Sequence, residues 1–250
     1  MIKTGLIGHG YWGKIIESKL DLISKKIFVQ TSINYDTSVF HEADWIIIAT
    51  PAESHYRIVK DCIEKGVNVF VEKPFCNNFF EAEELVMLGQ KNKIKLFVDN
   101  VFLYRKELLN IKIRPSVSIR FSWNKYGPFN DNLVNDLLYH DLYILTSIIG
   151  ISKISNLNFI TNKKDILKFN FFFADIKVEI DYNRVSLGEK EKIIYLDGLP
   201  IIFDSGPEDP LKQILIDCIS DNVNFKSNNY INLHTMTMMD KVKKSININY

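Results

Sequence analysis

The sequence is poor in the features that mark several classes of protein. It has only three cysteines, Cys62, Cys76 and Cys218, whose spacing matches neither a metal site nor a redox motif. Lys and Arg total 31 against 30 Asp and Glu, so a net charge of +1 gives no basic field for nucleic acid and no acidic tail. No apolar run is long enough for a membrane span. What remains is a chain of 250 residues, 46% of them hydrophobic, which is typical of one large or two small globular domains.

The start of the chain shows no leader pattern. Met1 precedes a predicted strand directly, without the charged and apolar segments of a signal peptide. The low cysteine count suits a reducing compartment, where a buried thiol is ordinary packing. We therefore expect a cytoplasmic protein with no metal site, no nucleic-acid partner and no membrane association.

Strands and helices alternate over the first hundred residues. Apolar runs predict strands at 2–7, 26–32, 45–49, 67–72 and 94–98, and helical spacing predicts helices at 14–20, 54–65 and 80–92. The run at 45–49 (WIIIA) is apolar on both sides, as in parallel strands that helices cover on both faces. The pattern predicts a doubly wound parallel sheet.

A different pattern follows residue 101. Short turns join strand-like runs, which favours an antiparallel or mixed sheet. The predicted strands are 116–123, 154–160, 166–173, 176–182, 192–196 and 200–203; the predicted helices are 104–110, 133–149, 209–220 and 234–246, with a loop at 124–132. We expect an α/β chain with one domain over residues 1–101 and an α+β domain, with an open and mostly antiparallel sheet, over residues 102–250.

Three glycines form a dinucleotide-binding turn between the first strand and the first helix. Gly8 allows the tight turn, Gly10 lets the backbone approach a pyrophosphate, and Gly13 lets the helix pack closely. The backbone amides of Tyr11 and Trp12 would face the pyrophosphate at the helix N-terminus. This context predicts a Rossmann domain for the first part of the chain.

The end of the second predicted strand lacks the acidic residue that holds the ribose hydroxyl of NAD. Thr31 and Ser32 stand at this place, and the first carboxylate is that of Asp36. No Lys or Arg occurs in this stretch either. The lack of a local cation favours NAD and leaves NADP open.

Lys73 follows the fourth predicted strand, between Glu72 and Pro74. A lysine at the end of such a strand lies where open α/β sheets bind ligands, and the proline fixes the backbone beside it in either the trans or the cis form. Thr50 and Pro51 follow the third strand at the same edge and can cover the cofactor. These residues extend the predicted cofactor site.

Two histidines are each open to two interpretations. His55 either contacts the cofactor or is an ordinary residue in the first turn of a helix. His140 lies four residues after Asp136 in a helical pattern, so the two share a face. A carboxylate beside an imidazole raises its basicity, so His140 could accept a hydroxyl proton while Lys73 polarises the oxygen and a nicotinamide takes the hydride. The alternative is a surface Asp–His pair.

Four segments together resemble the Gfo/Idh/MocA oxidoreductase family. They are residues 7–14 (IGHGYWGK), 49–51 (ATP) with His55, 71–74 (VEKP) and 136–141 (DLLYHD). The resemblance implies a Rossmann domain followed by a domain whose open sheet mediates homodimers or homotetramers. It also implies that Lys73 and His140 act at the reacting carbon and that Asp136 supports them.

The turn GYWG and residues 100–104 (NVFLY) are most similar to family members that act on nucleotide sugars during surface-polysaccharide synthesis. This implies NAD(P), a carbohydrate or nucleotide-sugar substrate, and substrate contacts from Asn100, Tyr104 and Arg105. Asp99 and Asn100 replace a Gly-His pair common in the family. The open alternatives are reduction of an imine or of a free polyol or ketose, and a non-catalytic sensor that only binds the dinucleotide.

Overall fold

The computed structural model describes residues 1–109, 111, 118–125, 133–203 and 208–246. The chain divides into two compact units, Met1–Tyr104 with Asp209–Met236, and Arg105–Glu208 with Thr237–Tyr250. The first division falls three residues after the boundary expected from the sequence. The return of residues 209–236 to the first unit was not expected. Most of the predicted loop at 124–132 lies outside the described residues.

The first unit contains a parallel sheet of five strands in the order β2-β1-β3-β4-β5. The chain runs outward from β1 to β2 and then returns to build the other half from β3, so the switch point lies between β1 and β3. Ligands bind beyond the carboxyl ends of the strands at such a point. The strands are β1 (Lys3–Ile7), β2 (Lys25–Gln30), β3 (Trp45–Ile48), β4 (Asn68–Val71) and β5 (Leu96–Val98).

Helices cover both faces of this sheet, as the fully apolar β3 predicts. On one face, Leu6, Ile47 and Phe70 form a core with α1 and α6; on the other, α2 packs on β3 and β4 beside α3. The helices are α1 (Tyr11–Ile23), α2 (His55–Glu64), α3 (Phe79–Lys91) and α6 (Pro210–Ile219), with 3-10 turns at Thr37–Glu42, Ala52–Ser54 and Val101–Tyr104. The predicted Rossmann fold is confirmed.

The second unit contains a six-stranded sheet in the order β11-β10-β6-β9-β8-β7, with β6 and β9 parallel and the other pairs antiparallel. This confirms the predicted open, mostly antiparallel sheet. Phe169 and Phe171 point to a buried face, whereas Lys168 and Asn170 between them are partly exposed. The strands are β6 (Ser118–Asn124), β7 (Ile154–Lys163), β8 (Ile166–Phe173), β9 (Ile176–Asn183), β10 (Glu191–Leu196) and β11 (Leu199–Ile202).

The helix predicted at 133–149 consists of a π-helical turn, Val134–Leu138, followed by α5, Tyr139–Ile149. A π turn inside an α-helix is frequent at functional sites. A short helix, α4 (Lys106–Leu109), precedes β6. None of the described helices is both long and apolar enough to cross a membrane.

The last helix, α7, spans Phe225–Ser245 and begins nine residues before the predicted start at 234. Its first turns contain several asparagines, which read as polar loop in the sequence. In the structure, Asn228 is buried and exchanges two hydrogen bonds with the backbone of Val98 in β5, at 2.9 and 3.0 Å. The polar residues therefore face the edge of the sheet and not water. For this reason the sequence pattern did not predict the first turns of the helix.

Candidate active site

The glycine turn has the geometry that each glycine was expected to supply. Gly8 has φ +110°, and a Cβ there would lie 2.2 Å from the carbonyl oxygen of Ala49. A Cβ at Gly13 would lie 2.1 Å from the carbonyl oxygen of Gly8. At Gly10, by contrast, a Cβ would meet nothing within 4 Å. Two glycines thus close the turn, and the third leaves open space where a ligand can approach the backbone.

The N-terminus of α1 suits an anion. Gly10 is its N-cap, no side chain caps it, and the first turn holds no acidic residue. The first N–H groups of a helix have no partner within the helix and carry the positive end of its dipole. The amides of Tyr11 and Trp12 belong to this turn, so the residues present fit a dinucleotide pyrophosphate.

Glu72 connects this turn to Lys73. The indole N–H of Trp12 donates to one Glu72 oxygen, and the backbone N–H of Lys73 lies 3.2 Å from the other. Glu72 also accepts a hydrogen bond from the carboxyl group of Asp99. Glu72 is 5% exposed and Asp99 1% exposed. Burial raises the pKa of both groups, and the charge of Glu72 raises that of Asp99 further, which favours a proton between the two carboxyl groups.

His55 joins the two loops at this edge of the sheet. It is the first residue of α2 and is fully buried, with Nδ1 2.9 Å from the carbonyl oxygen of Pro74 and Nε2 2.8 Å from that of Thr50. Burial lowers the pKa of the imidazole, against the two carbonyl groups that favour its protonated form. With no accessible surface and both ring nitrogens facing backbone carbonyl groups, His55 braces the Thr50 loop against the Lys73–Pro74 peptide, which is cis.

The end of β2 shows how the predicted ribose residues are arranged. The backbone N–H of Gly8 donates to Gln30 at 2.8 Å, which places the glycine turn beside this strand end. The Thr31 hydroxyl is 3.4 Å from the backbone N–H of Asn34, and the Ser32 carbonyl accepts from Arg57 at 2.8 Å. Arg57 was not identified from the sequence because it lies in α2, 25 residues beyond Ser32.

The predicted substrate residues lie in different surroundings. Asn100 is 2% exposed, and its side-chain oxygen accepts from Asn228 and Asn232, each at 2.8 Å. Its amide is therefore a structural link to α7, which argues against a substrate contact. The hydroxyl of Tyr104 bonds to Asp217 in α6, and burial raises the pKa of this phenol. Arg105 is partly buried and belongs to the second unit.

Asp136 and His140 have separate partners in the second unit. Asp136 Oδ2 lies 2.7 Å from Arg184 Nη2, and both side chains are largely buried. His140 Nδ1 lies 3.1 Å from the Tyr143 hydroxyl, and its ring stacks on Trp123 with centroids 5.8 Å apart. His140 is 8% exposed, so the interpretation of these two residues as a surface pair is wrong.

Asp141, the residue after His140, is fully buried. It lies 3.1 Å from Lys192 Nζ and accepts from the Trp123 indole at 2.8 Å and from the Tyr182 hydroxyl at 2.6 Å. The Lys192 ammonium also lies 4.0 Å from the centre of the Trp123 ring. This cluster fixes the indole on which His140 stacks. Spacing in the sequence gives no signal for it, because Lys192 is 51 residues away.

The two halves of the predicted catalytic set lie in different units: Lys73 in the first, Asp136 and His140 in the second. Within the described ranges, no group of three or more His, Cys, Asp or Glu side chains is placed to hold a metal ion.

Comparison with known proteins connects this geometry to a family. Residues 19–100 match the sequence profile of the family described as "Oxidoreductase family, NAD-binding Rossmann fold", GFO_IDH_MocA. This segment belongs to the Gfo/Idh/MocA oxidoreductase family. The match covers the second to fifth strands and includes Glu72 and Lys73.

Curated relatives of this chain are distant. One, UDP-N-acetylglucosamine 3-dehydrogenase of Acidithiobacillus ferrooxidans, is 22% identical over 171 residues, 60% of this chain and 55% of the relative. Another, scyllo-inositol 2-dehydrogenase (NADP(+)) of Bacillus subtilis, is 28% identical over 153 residues, 51% of this chain and 43% of the relative. The matched chain thus spans only about half the length of these relatives.

Solved structures agree over nearly the whole chain. UDP-N-acetylglucosamine 3-dehydrogenase GnnA from A. ferrooxidans superposes with a TM-score of 0.82 at 15% identity, covering 96% of each chain. The WlbA dehydrogenase from Thermus thermophilus, solved with NAD and UDP-GlcNAcA, gives 0.80 at 12% identity, covering 96% of this chain and 94% of that one. At such identities the likeness establishes the fold.

Proposed function

We propose that the protein is an NAD(P)-dependent oxidoreductase that transfers hydride between the nicotinamide and a hydroxyl or keto carbon of a carbohydrate. One observation carries this proposal. Trp12, at the N-terminus of α1, donates to Glu72, whose other oxygen faces the backbone of Lys73. The dinucleotide turn and the lysine are therefore parts of one arrangement at the switch point of the sheet.

The proposed roles follow from the chemistry of each group. When bound, the nicotinamide supplies the hydride acceptor or donor. The Lys73 ammonium donates a hydrogen bond to the substrate oxygen and stabilises negative charge on it. His140 accepts the hydroxyl proton during oxidation and returns it during reduction. Because Nδ1 faces the Tyr143 hydroxyl, we assign this transfer to Nε2. Asp136, held by Arg184, positions the turn that precedes His140.

The substrate class that we propose is a nucleotide sugar used in surface-polysaccharide synthesis. The GYWG turn and the names of the relatives support it: one is a UDP-N-acetylglucosamine 3-dehydrogenase, and a structural neighbour was solved with a UDP-sugar acid. A free polyol is the second candidate, because another relative is a scyllo-inositol 2-dehydrogenase. Parallel panels of nucleotide sugars and of inositols and ketoses separate the two.

The decisive assay follows absorbance of the reduced nicotinamide with each cofactor and pooled nucleotide sugars. We expect Lys73→Met and His140→Ala each to lower kcat by about 100-fold or more, because each removes a group that acts in the transition state. Lys65→Met, which removes an exposed lysine beyond α2, is the control and should keep full activity.

Two results would contradict the proposal in different ways. Undiminished turnover in Lys73→Met and His140→Ala would show that the assigned residues are wrong. Tight dinucleotide binding without turnover on either panel, in either direction, would favour the sensor.

We also propose that the protein assembles as a homodimer or homotetramer through the partly exposed face of the second sheet. Polar and charged side chains occupy this face, including the Lys168–Asp181 pair at 2.9 Å, beside Phe172, which is 38% exposed. Light scattering at micromolar concentration tests this, and a monomer mass would contradict it.

A further inference from the structure

Arg57 places a guanidinium at the end of β2, where the adenosine ribose of a bound dinucleotide lies in Rossmann folds. Its Nη2 donates to the carbonyl oxygen of Ser32 at 2.8 Å. Among the described residues, the guanidinium makes no other hydrogen bond, so four of its five N–H groups can serve a ligand. The side chain is exposed, which gives a ligand access.

A stack of aromatic rings holds this guanidinium in place. Its central carbon lies 4.9 Å from the centre of the Tyr35 ring, a cation–π arrangement. The Tyr35 ring stacks on Phe40 at 5.9 Å, and its hydroxyl donates to Asp61. The tyrosine is thus fixed from both ends. Arg57 is therefore preorganised, which lowers the entropy lost when it binds an anion.

The carboxylates near the Arg57 guanidinium accept hydrogen bonds from other groups. Residues 31–34 contain none. Asp36 accepts the backbone N–H of Ser38 at 2.8 Å and caps the following 3-10 turn, and Asp61 accepts the Tyr35 hydroxyl. An NAD site needs a carboxylate that accepts the ribose 2′-hydroxyl. This strand end offers hydroxyl groups from Thr31 and Ser32 and a guanidinium, which are donors for a phosphate.

We propose that Arg57, with the hydroxyl groups of Thr31 and Ser32, binds the 2′-phosphate of the adenosine ribose, so that the protein binds NADP(H) in preference to NAD(H). The planar guanidinium pairs with phosphate oxygens through two parallel N–H···O bonds. This site takes a phosphomonoester on the ribose 2′-oxygen. It rests on the dinucleotide-binding fold and not on the proposed hydride transfer.

The assignment reverses the preference that the sequence suggests. No Lys or Arg follows β2 closely in the sequence. The cation at this position is Arg57, which comes from α2, after the next strand. Only the fold of α2 against the end of β2 brings Arg57 to Ser32.

The test uses the adenosine half of the cofactor, so that it is independent of catalysis. Isothermal titration compares 2′,5′-ADP with 5′-AMP, which differ only in the 2′-phosphate. We expect the wild-type protein to bind 2′,5′-ADP at least about tenfold more tightly, the effect of one charge-assisted contact. Arg57→Gln should lose this ratio while its affinity for 5′-AMP stays within about threefold. The same ratio should appear between NADP and NAD.

Lys60→Gln is the matched control. It removes one positive charge from the same helix, but the Lys60 ammonium is engaged by Glu84 on α3 at 2.8 Å. This variant should keep the wild-type ratio, and its melting temperature, with that of Arg57→Gln, shows whether each variant is folded. Equal ratios in wild type and Arg57→Gln would overturn the assignment. Failure of both nucleotides to bind the wild-type protein would overturn the dinucleotide site itself.

Discussion

Glu72 in the first unit and Asp141 in the second are both buried carboxylates that accept an indole N–H, yet they are neutralised in different ways. Glu72 accepts from Trp12 and shares a proton with a second acid, Asp99. Asp141 accepts from Trp123 and is paired with the buried ammonium of Lys192. Burying an isolated charge is costly, and the two units meet that cost with a proton and with a cation.

The difference has a consequence for how each centre responds to its surroundings. A carboxyl pair that shares a proton loses it when the pH rises, so the contribution of this pair to the stability of the protein depends on pH. Burial also raises the pKa of the Asp141 carboxyl group, but there the Lys192 ammonium and the hydrogen bonds from Tyr182 and Trp123 oppose the rise. The carboxyl pair stands beside Lys73, where a cofactor would bind, and the ion pair stands beside the ring on which His140 stacks.

The largest effect is expected from Lys192→Met. It removes one partner of a pair in which both side chains are at most 1% exposed, so Asp141 is left as an uncompensated buried group. We expect the free energy of unfolding to fall by about 3–5 kcal/mol, measured by urea denaturation. The double variant with Asp141→Asn should recover much of this loss, because it removes the charge that lost its partner.

Lys168→Met is the matched control in the same sheet. Its partner Asp181 lies at 2.9 Å, but the two side chains are 40% and 30% exposed. We expect a loss of about 0–1 kcal/mol. An equal loss in Lys168→Met and Lys192→Met would mean that burial does not distinguish the two pairs.

An intermediate effect, which depends on pH, is expected from Asp99→Asn. The raised pKa means that the folded protein holds a proton that the unfolded chain releases above about pH 4. As the pH rises from about 4 to the raised pKa of Asp99, the free energy of unfolding of the wild-type protein should therefore fall by up to about 1.4 kcal/mol per pH unit. An asparagine keeps an N–H donor for Glu72 at any pH. The free energy of unfolding of Asp99→Asn, relative to that of wild type, should therefore increase between pH 5 and pH 8.

Asp221→Asn serves as the comparison for that series. Its carboxylate is 52% exposed and pairs with Lys95 in the same unit. Urea denaturation at each pH should give a difference from wild type that changes with pH for the buried Asp99, and Asp221→Asn controls for the loss of an exposed carboxylate. A constant difference for Asp99→Asn would show that the carboxyl pair does not hold a proton in the folded protein.

The smallest effect is expected from Trp12→Phe, which removes the indole donor of Glu72 and keeps an aromatic ring. Trp12 is 41% exposed, so water can replace the lost N–H, and we expect a loss of about 1 kcal/mol. Trp123→Phe, whose side chain is 2% exposed, should cost more. Tyr11→Phe, altering a side chain 76% exposed, should change stability by less than about 0.5 kcal/mol. Thermal denaturation of the three variants ranks them, and the reverse order would contradict the comparison.

The sequence was sufficient to predict the parts of the fold that depend on local pattern. Mostly apolar runs predicted all five strands of the parallel sheet, and the spacing of Gly8, Gly10 and Gly13 predicted a turn in which Gly8 and Gly13 leave no room for a Cβ. Strand-like runs joined by short turns predicted the strands of the second sheet. Their parallel β6–β9 pair could not be predicted, because pairing between distant segments leaves no local pattern.

The contacts that were not predicted from the sequence either join residues that are far apart along the chain or involve polar side chains that are buried. Lys192 meets Asp141 across 51 residues and Arg57 meets Ser32 across 25. The family resemblance implied a substrate contact for Asn100, whereas in the structure two asparagines of α7 donate hydrogen bonds to its side-chain oxygen. A polar residue at a strand end can contact a ligand or pair with another buried polar residue. Only the fold determines which of the two occurs.

The two hydrogen bonds between Asn228 and Val98 have a consequence for association. β5 ends the parallel sheet, and the unpaired backbone of an outer strand is a template for pairing with another chain. The Asn228 amide offers Val98 one acceptor and one donor, as the peptide group of a neighbouring strand would. A side chain on a helix thus takes the place of a sixth strand at this residue and closes the edge against self-association.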